Sequence, residues 1–438
     1  MSNSESMKSV SEGIRERHRK YLWPAVMNYY EEPLVLSDGE GTVVRDLEGH
    51  SYLDFFGGIL TVSLGHRNPR VNRAIHNQVD RILHTSTLYL NQPLVDLAER
   101  LARIAPDDLS TSFFTPSGTD ADETAIMLAQ MHTGHQEIVA LRNCYSGRSF
   151  MALSLTAHAA WRVVPSSLPF FKHAHAPYCY RCDFGLKYPS CDLRCARDVE
   201  GLIQTTTTGK VAAFIAEPIQ GVGGFVTPPP EYFEVVSKIV RQYGGIFVCD
   251  EVQTGFGRTG EKMWGIEHWN VEPDIITVAK GIANGLPLGA VITRAEIAKA
   301  MTGLTISTFG GNPVAASAAV ATIDLIGDRR LPQHVKEMGL RLREGLEELK
   351  QQYPRIIGDV RGKGLMQAVE LVEDETAGNR IPNLKATAVF FEASKKRGLL
   401  VGKGGLFGNV LRIAPPMTVE AHEIDEALRI LEESFGEI

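Results

Sequence analysis

The chain has 438 residues, 44% of them apolar and 22% charged, and 45 Lys and Arg against 52 Asp and Glu give a net charge of −7. A chain this long and this apolar can bury a large core without disulfide or metal staples, and its ordinary glycine and proline content excludes a collagen-like or wholly disordered chain. The mild acidic excess supplies no general field for nucleic acid or an anionic membrane, so neither is expected as a partner.

No apolar run reaches the roughly 20 residues that cross a bilayer. The opening stretch MSNSESMKSVSEGIRERHRKYLWP is polar and mixed in charge, so a secretory signal is not expected. Six cysteines are too sparse for a disulfide scaffold. A cytoplasmic protein is the expectation.

In chain order, residues 1–30 read as an arm followed by a helix that ends in Tyr29 and Tyr30. Residues 35–56 read as short strands broken at Asp38-Gly39 and Glu48-Gly49. Helical periodicity covers 70–84 and 93–105. From about 110 to 300, apolar runs at 112–115, 137–141, 211–217, 244–251 and 273–280 alternate with helical stretches at 121–131, 196–204 and 231–243. Strands that are apolar throughout and joined by helices predict an α/β fold around a mostly parallel sheet covered on both faces. A helix follows at 314–327. Residues 332–438 then read as an α+β unit with helices at 335–350, 384–397 and 419–434 and strands around 355–372 and 410–414. The expected division is an N-terminal segment, 1–69, belonging to a small domain; a large domain, 70–325; and a C-terminal small domain, 326–438.

Four local features carry chemistry. Ser117-Gly118-Thr119 lies between a strand and a helix, where exposed N–H groups and hydroxyls bind anions. The same residues also suit plain capping by Thr119 or Asp120, with Glu123 closing a box. Asp250-Glu251 ends an apolar strand, where ligands of open α/β sheets bind; capping of the next turn or metal binding fits as well. Lys280 closes the run DIITVAK, and an amine with a desolvated stem titrates low and forms imines. The plain alternative is a snorkelling surface lysine. Arg412 ends the last strand and can clamp a carboxylate with its bidentate fork or make a surface ion pair. An anion site, an acid for a ring nitrogen and an imine-forming lysine are together the needs of pyridoxal 5'-phosphate.

The stretch VCDEVQTGFGRTGEKMWGIEHWNVEPDIITVAKGIANGLPLGAVI (248–292) resembles the core of the class III, or ω-, aminotransferases. PSGTDADETAIMLAQMHTG (116–134), AEPIQGVGG (216–224), TFGGNP (308–313) and RGKGLM (361–366) are similar to that family in the same order. The resemblance spans roughly 30 to 430. It implies the aspartate aminotransferase fold (fold type I), a homodimer or dimer of dimers, and a site at the subunit interface. Lys280 resembles the lysine that carries the cofactor and shuttles the Cα proton. Asp250 resembles the acid on the ring nitrogen, with Val252 and Tyr145 against the two ring faces and Gln253 near the ring hydroxyl. Ser117, Gly118 and Thr119 resemble phosphate binders, and Thr308 resembles the threonine that reaches the neighbouring subunit's phosphate. Glu217 resembles a buried acid near Asp250, and Arg412 the arginine that holds the substrate carboxylate.

The chain departs from the family at several positions. Ser146 stands where many members have histidine. Pro116, Asp120 and Asp122 replace the Asn, Glu and Asn of the commoner NSGSEANE form. Val222 stands where the ornithine and 4-aminobutyrate branches carry the glutamate that pairs with the substrate arginine, so Arg412 is expected to stay available. The block CYRCDFGLKYPSCDLRC (179–195) places Cys179, Cys182, Cys191 and Cys195 at a spacing that suits a tetrathiolate zinc site or reduced loop cysteines. The same block resembles the alanine–glyoxylate aminotransferase 2 branch.

That branch implies transfer from alanine, a β-amino acid or an ω-amine to glyoxylate or pyruvate. One alternative is a 4-aminobutyrate or other ω-amino acid transaminase that uses 2-oxoglutarate, with Arg45, Arg67 or Lys403 meeting the second carboxylate. Others are a same-fold aminomutase, epimerase or decarboxylase, and a metal-binding interaction protein built on the cysteines.

Overall fold

The computed structural model describes residues 3–165 and 168–438. A helix spans Asn3–Tyr21, and an irregular segment carries the chain through Tyr29 and Tyr30. This reverses the expected order of arm and helix. Pro24 and Pro33 bracket the irregular segment, and proline breaks the helical hydrogen-bond pattern on either side of it. Tyr29 instead packs edge-on against Phe391, with ring centroids 5.7 Å apart.

Strands β1 (Leu36–Glu40), β2 (Val43–Asp46) and β3 (Ser51–Asp54) form an antiparallel meander. The large sheet contains β4 (Thr111–Thr115), β5 (Ile138–Leu141), β6 (Phe171–Ala174), β7 (Ala213–Ala216), β8 (Ile246–Asp250), β9 (Ile275–Val278) and β10 (Gly289–Thr293). Their spatial order is β4-β10-β9-β8-β7-β5-β6. Neighbours from β9 to β6 are parallel. β10 runs antiparallel to both β9 and β4. The link from β9 to β10 holds only a short 3₁₀ turn, Lys280–Ala283, with no crossover helix. A parallel return needs a crossover of a dozen or more residues, so the chain turns straight back. Every residue of β5, β7, β9 and β10 is buried, as a sheet covered on both faces requires.

The C-terminal part contains β11 (Ile357–Lys363), β12 (Met366–Asp374), β13 (Asn379–Pro382), β14 (Leu399–Leu400), β15 (Gly402–Gly404) and β16 (Val410–Ile413). Strands β11-β12-β16-β15 form one sheet, and β13 pairs with β12. β14 leaves this group and pairs in parallel with β3, which ties the two ends of the sequence together. Among the described residues, no helix is long and apolar enough to cross a membrane.

Candidate active site

Asp250 is the last residue of β8, and its Oδ1 accepts a hydrogen bond from the Val252 N–H at 2.9 Å. On the adjacent strand the ladder ends at Val278, and Lys280 lies just beyond it. Lys280 does not close the strand as the sequence suggests. It opens the 3₁₀ turn with φ of 47°, a left-handed conformation that costs a non-glycine residue of order 1 kcal/mol. The two strand ends thus set an acid and an amine side by side beyond the carboxyl edge of the sheet.

The helix Gly118–Thr133 starts against the same edge. Its cap is Ser117, whose Oγ accepts from the Asp120 N–H at 3.3 Å. Neither Thr119 nor Asp120 caps it, and Glu123 pairs with the Ser149 hydroxyl rather than closing a box. A Cβ at Gly118 would press Val252 at 3.3 Å, so glycine lets the helix start approach the floor of the site. The first-turn N–H groups of Gly118 and Thr119 have no partner within an α-helix, which makes this end an anion seat.

These elements wall a cavity of about 950 Å³. Ser117, Gly118, Thr119, Tyr145, Glu217, Asp250, Val252, Gln253, Lys280 and Arg412 all line it. Thr308 does not. It is exposed, in a segment where Leu304, Ile306 and Phe309 are exposed too. Tyr145 meets Trp161 edge-on, with centroids 5.7 Å apart. Gly221 is glycine because a Cβ there would lie 2.0 Å from Gln253 Nε2, while Gln253 Oε1 is buried with no partner among the described residues.

The charged groups are poised against their ordinary states. Burial pushes Asp250 up to about 6, against the pull of the Val252 N–H and Lys280. Burial, then the charge of Asp250, pushes Glu217 up to about 8. Glu217 meanwhile accepts from the N–H groups of Gly221 at 2.7 Å and Tyr145 at 3.3 Å, so it fixes the loops on either side of the cavity. Burial lowers Lys280, and the charges of Asp250 and Glu217 oppose that shift. An amine so placed reaches its neutral, nucleophilic form more readily than a surface lysine.

Arg412, on β16, donates from Nε to Lys403 O at 3.1 Å and from Nη1 to Gly221 O at 3.3 Å. Its guanidinium lies over Phe56 at 4.7 Å and Phe225 at 5.6 Å. Burial lowers Arg412, and the nearby Tyr29 and Glu217 oppose that shift. None of the ion pairs among the described residues involves Arg412, and Val222 stands beside it in the wall. Arg45, Arg67 and Lys403 do not line the cavity. The first two face Asp38, and Lys403 Nζ lies over Phe391. Tyr29, Phe56 and Trp161 are wall residues that the sequence did not single out. An aromatic pair in a polar arm was the available signal for Tyr29.

The class-III aminotransferase family profile matches residues 26–435. The chain is a class-III aminotransferase. It is 42% identical over 428 residues, 97% of this chain and 87% of the relative, to alanine–glyoxylate aminotransferase 2 homolog 2, mitochondrial, of Arabidopsis thaliana. It is 37% identical over 434 residues, 98% and 96% of the two chains, to the leucine/methionine racemase of Thermococcus litoralis. The solved (S)-enantioselective omega-transaminase of Thermomicrobium roseum superposes with a TM-score of 0.88 at 34% identity, over 98% of each chain. The fold is the expected type I arrangement.

Such an aminotransferase works with pyridoxal 5'-phosphate, and the wall residues fit that group. The helix start offers an anion seat, Asp250 an acid for a ring nitrogen, Gln253 an unmet acceptor, and Lys280 an amine of depressed pKa.

The sequence allows the cysteine block of this aminotransferase either a metal or reduced thiols. Cys179, Cys182, Cys191 and Cys195 all face one small cavity. Among the described residues, however, no three or more His, Cys, Asp or Glu side chains are grouped so as to hold an ion. Burial raises the Cys179 thiol and pushes Cys195 up to about 12. The block also docks the segment 178–181 on the C-terminal sheet. The Tyr180 hydroxyl donates to Glu375 at 2.6 Å, and Tyr178 and Arg181 both bind Glu370.

Proposed function

We propose that this aminotransferase moves an amino group from alanine, a β-amino acid or an ω-amine to glyoxylate or pyruvate, as in the alanine–glyoxylate aminotransferase 2 branch. The observation that carries the reading is the charge of the wall. Lys280 and Arg412 are its only basic residues among those described. Lys280 serves the chemistry, which leaves one cation for one carboxylate. Alanine, glyoxylate and pyruvate each bring one. A second carboxylate, as in 2-oxoglutarate, meets Tyr29, Tyr30, Phe56 and Leu34 in place of a cation. Burying an unpaired charge there costs several kcal/mol.

When bound, pyridoxal 5'-phosphate supplies an aldehyde that carries the amino group and a protonated ring that takes up the electron pair freed when the Cα proton leaves. The chain does the rest. Gly118 and Thr119 N–H groups, with the Ser117 and Thr119 hydroxyls, hold the phosphate at the helix start. Asp250 keeps the proton on the ring nitrogen. Val252 and Tyr145 confine the ring between them, and Gln253 meets its hydroxyl. Lys280 Nζ would act as the general base that accepts and returns the proton of the substrate Cα. Glu217 holds the Tyr145 and Gly221 backbones that frame the ring. Arg412 orients the substrate by its carboxylate, and Val222 leaves no rival anion at its side. Thr308, exposed and outside its own cavity, reaches the phosphate of a second subunit, so the working unit is a homodimer.

The test is a matrix of donors (L-alanine, β-alanine, 4-aminobutyrate, an aryl amine) against glyoxylate, pyruvate and 2-oxoglutarate. Glyoxylate or pyruvate is expected to exceed 2-oxoglutarate in kcat/KM by at least about tenfold, the effect of one missing charge-assisted contact. Faster turnover with 2-oxoglutarate overturns the reading. Loss of donor chirality without keto acid assigns the chain to the chemistry named for its Thermococcus relative. Light scattering that finds an active monomer removes the role of Thr308.

A further inference from the structure

Three acids and two cations face the cavity: Asp122, Glu217 and Asp250 against Lys280 and Arg412. Asp122 has no part in the chemistry above. It lies in the first turns of the helix Gly118–Thr133 and is 1% exposed. The Thr277 hydroxyl donates to its Oδ1 at 2.7 Å. Thr277 is the register partner of Asp250 across the β8–β9 ladder, so both carboxyls sit over one rung of the sheet. Asp122 and Asp250 both line the cavity beside that rung.

A hydrogen bond between two carboxyl groups requires one proton, and two carboxylates sharing a buried site do not both ionise. The partners decide which one holds it. Asp250 accepts from the Val252 N–H, and Glu217 accepts from the Gly221 and Tyr145 N–H groups. A backbone N–H can only donate, and so favours an anion. Asp122 is met by the Thr277 hydroxyl, which can turn to donate or accept. With the shared proton on Asp122, Asp250 is left as the anion that faces Lys280.

We propose that Asp122 is a positioning residue for Asp250: a protonated carboxyl whose O–H donates to the Asp250 carboxylate and holds it, as an anion, toward the ring nitrogen. The inference rests on the reading of Asp250 given under the proposed function. Burial, then the charge of Asp250, raises Asp122 well above the usual carboxylate range, in the same sense. Asparagine at 122 would donate from its amide to the same oxygen, whereas leucine would fill the space and donate nothing.

Infrared spectra of the cofactor-free protein at neutral pH test the proton. A native-minus-variant difference spectrum is expected to contain a protonated-carboxyl band for Asp122→Asn and none for Asp250→Asn. An Asp122→Asn difference spectrum without that band overturns the proposal. In the holoenzyme, nitrogen NMR of a ¹⁵N-labelled ring tests the positioning. Asp122→Leu is expected to lower ring-nitrogen protonation and to cut kcat by about ten- to a hundredfold with little change in KM, since a lost outer hydrogen bond misorients the group it supports. Asp122→Asn is expected to recover most of both losses. Native ring-nitrogen shift and kcat in Asp122→Leu overturn the proposal; if that variant does not fold, the infrared band and Asp122→Asn decide. A ring signal that Asp250→Asn leaves unchanged sinks the reading of Asp250 itself, and leaves the proton assignment standing on the infrared band.

Discussion

Two clusters of buried charge use the same residue types differently. At the carboxyl ends of β8 and β9, acids are pushed up and the lysine down, because burial outweighs what their partners return. Where segment 178–181 docks on β11 and β12, Glu370 is equally buried, at 1% exposed. Burial there also raises the carboxyl, but Arg361 and Arg181 outweigh it and hold Glu370 below its ordinary range. Arg361 Nη1 reaches Glu370 and Asp359 at 2.8 Å each, and its guanidinium lies 4.8 Å from the Tyr178 ring. The second cluster neutralises itself and fastens two parts of the chain. The first is left short of partners, and its vacancies correspond to the polar groups of a cofactor and a substrate. Burial alone does not separate these two clusters; the direction of their shifts does.

Substitutions break the comparison from either side. The largest effect is expected for Lys280→Ala, which should cut turnover by about 10⁴-fold or more through loss of the general base and remove the visible absorbance of the bound cofactor. Native-rate turnover in that variant would end the account of the site. Arg361→Leu should lower unfolding free energy by about 3–5 kcal/mol, because it leaves Glu370 buried and underpaired. Denaturant unfolding checks the loss, and activity per folded molecule should stay near native. Arg412→Leu should reduce kcat/KM for alanine by about ten- to a hundredfold, the value of a hydrogen-bonded charge, while an amine without a carboxylate reacts as before. Equal losses for both donors would take Arg412 out of substrate binding.

The two clusters should also oppose each other in pH. Glu217 is raised from 4.5 to about 8, so the folded chain binds that proton more tightly and stability falls as pH rises between those values. Glu370 is lowered, so its contribution is present above about 4.5, the ordinary carboxyl value, and is lost as pH falls through its folded value. Melting of the cofactor-free protein across pH should therefore flatten at the upper end in Glu217→Gln and at the acid end in Glu370→Gln. Smallest of all, Cys179→Ser with Cys191→Ser should move stability by about 0.5 kcal/mol or less, with no response to a chelator.

Much of this architecture is readable from the chain. Apolar runs that end abruptly in a charge marked both Asp250 and Lys280, since such residues rarely follow buried strands without cause. The direction of β10 was not readable, because an apolar strand looks alike either way and only the short link at 279–288 decides it. Tyr29 and Phe56 escaped notice because they reach Arg412 from the other end of the sequence. The cysteine spacing suited a metal, but spacing does not say whether four thiols share a centre, and here Tyr178, Tyr180 and Arg181 between them supply the anchoring.

The pairing of β14 with β3 has a consequence for biosynthesis. The meander at 36–54 emerges from the ribosome early and keeps one edge bare until residues 399 and 400 arrive. Leu400 and Arg412, which line the cavity, arrive at the same late stage. A nascent chain therefore exposes an open strand edge, the usual template for wrong pairing, through most of its translation. Truncation before residue 399 should yield aggregates that no added cofactor rescues.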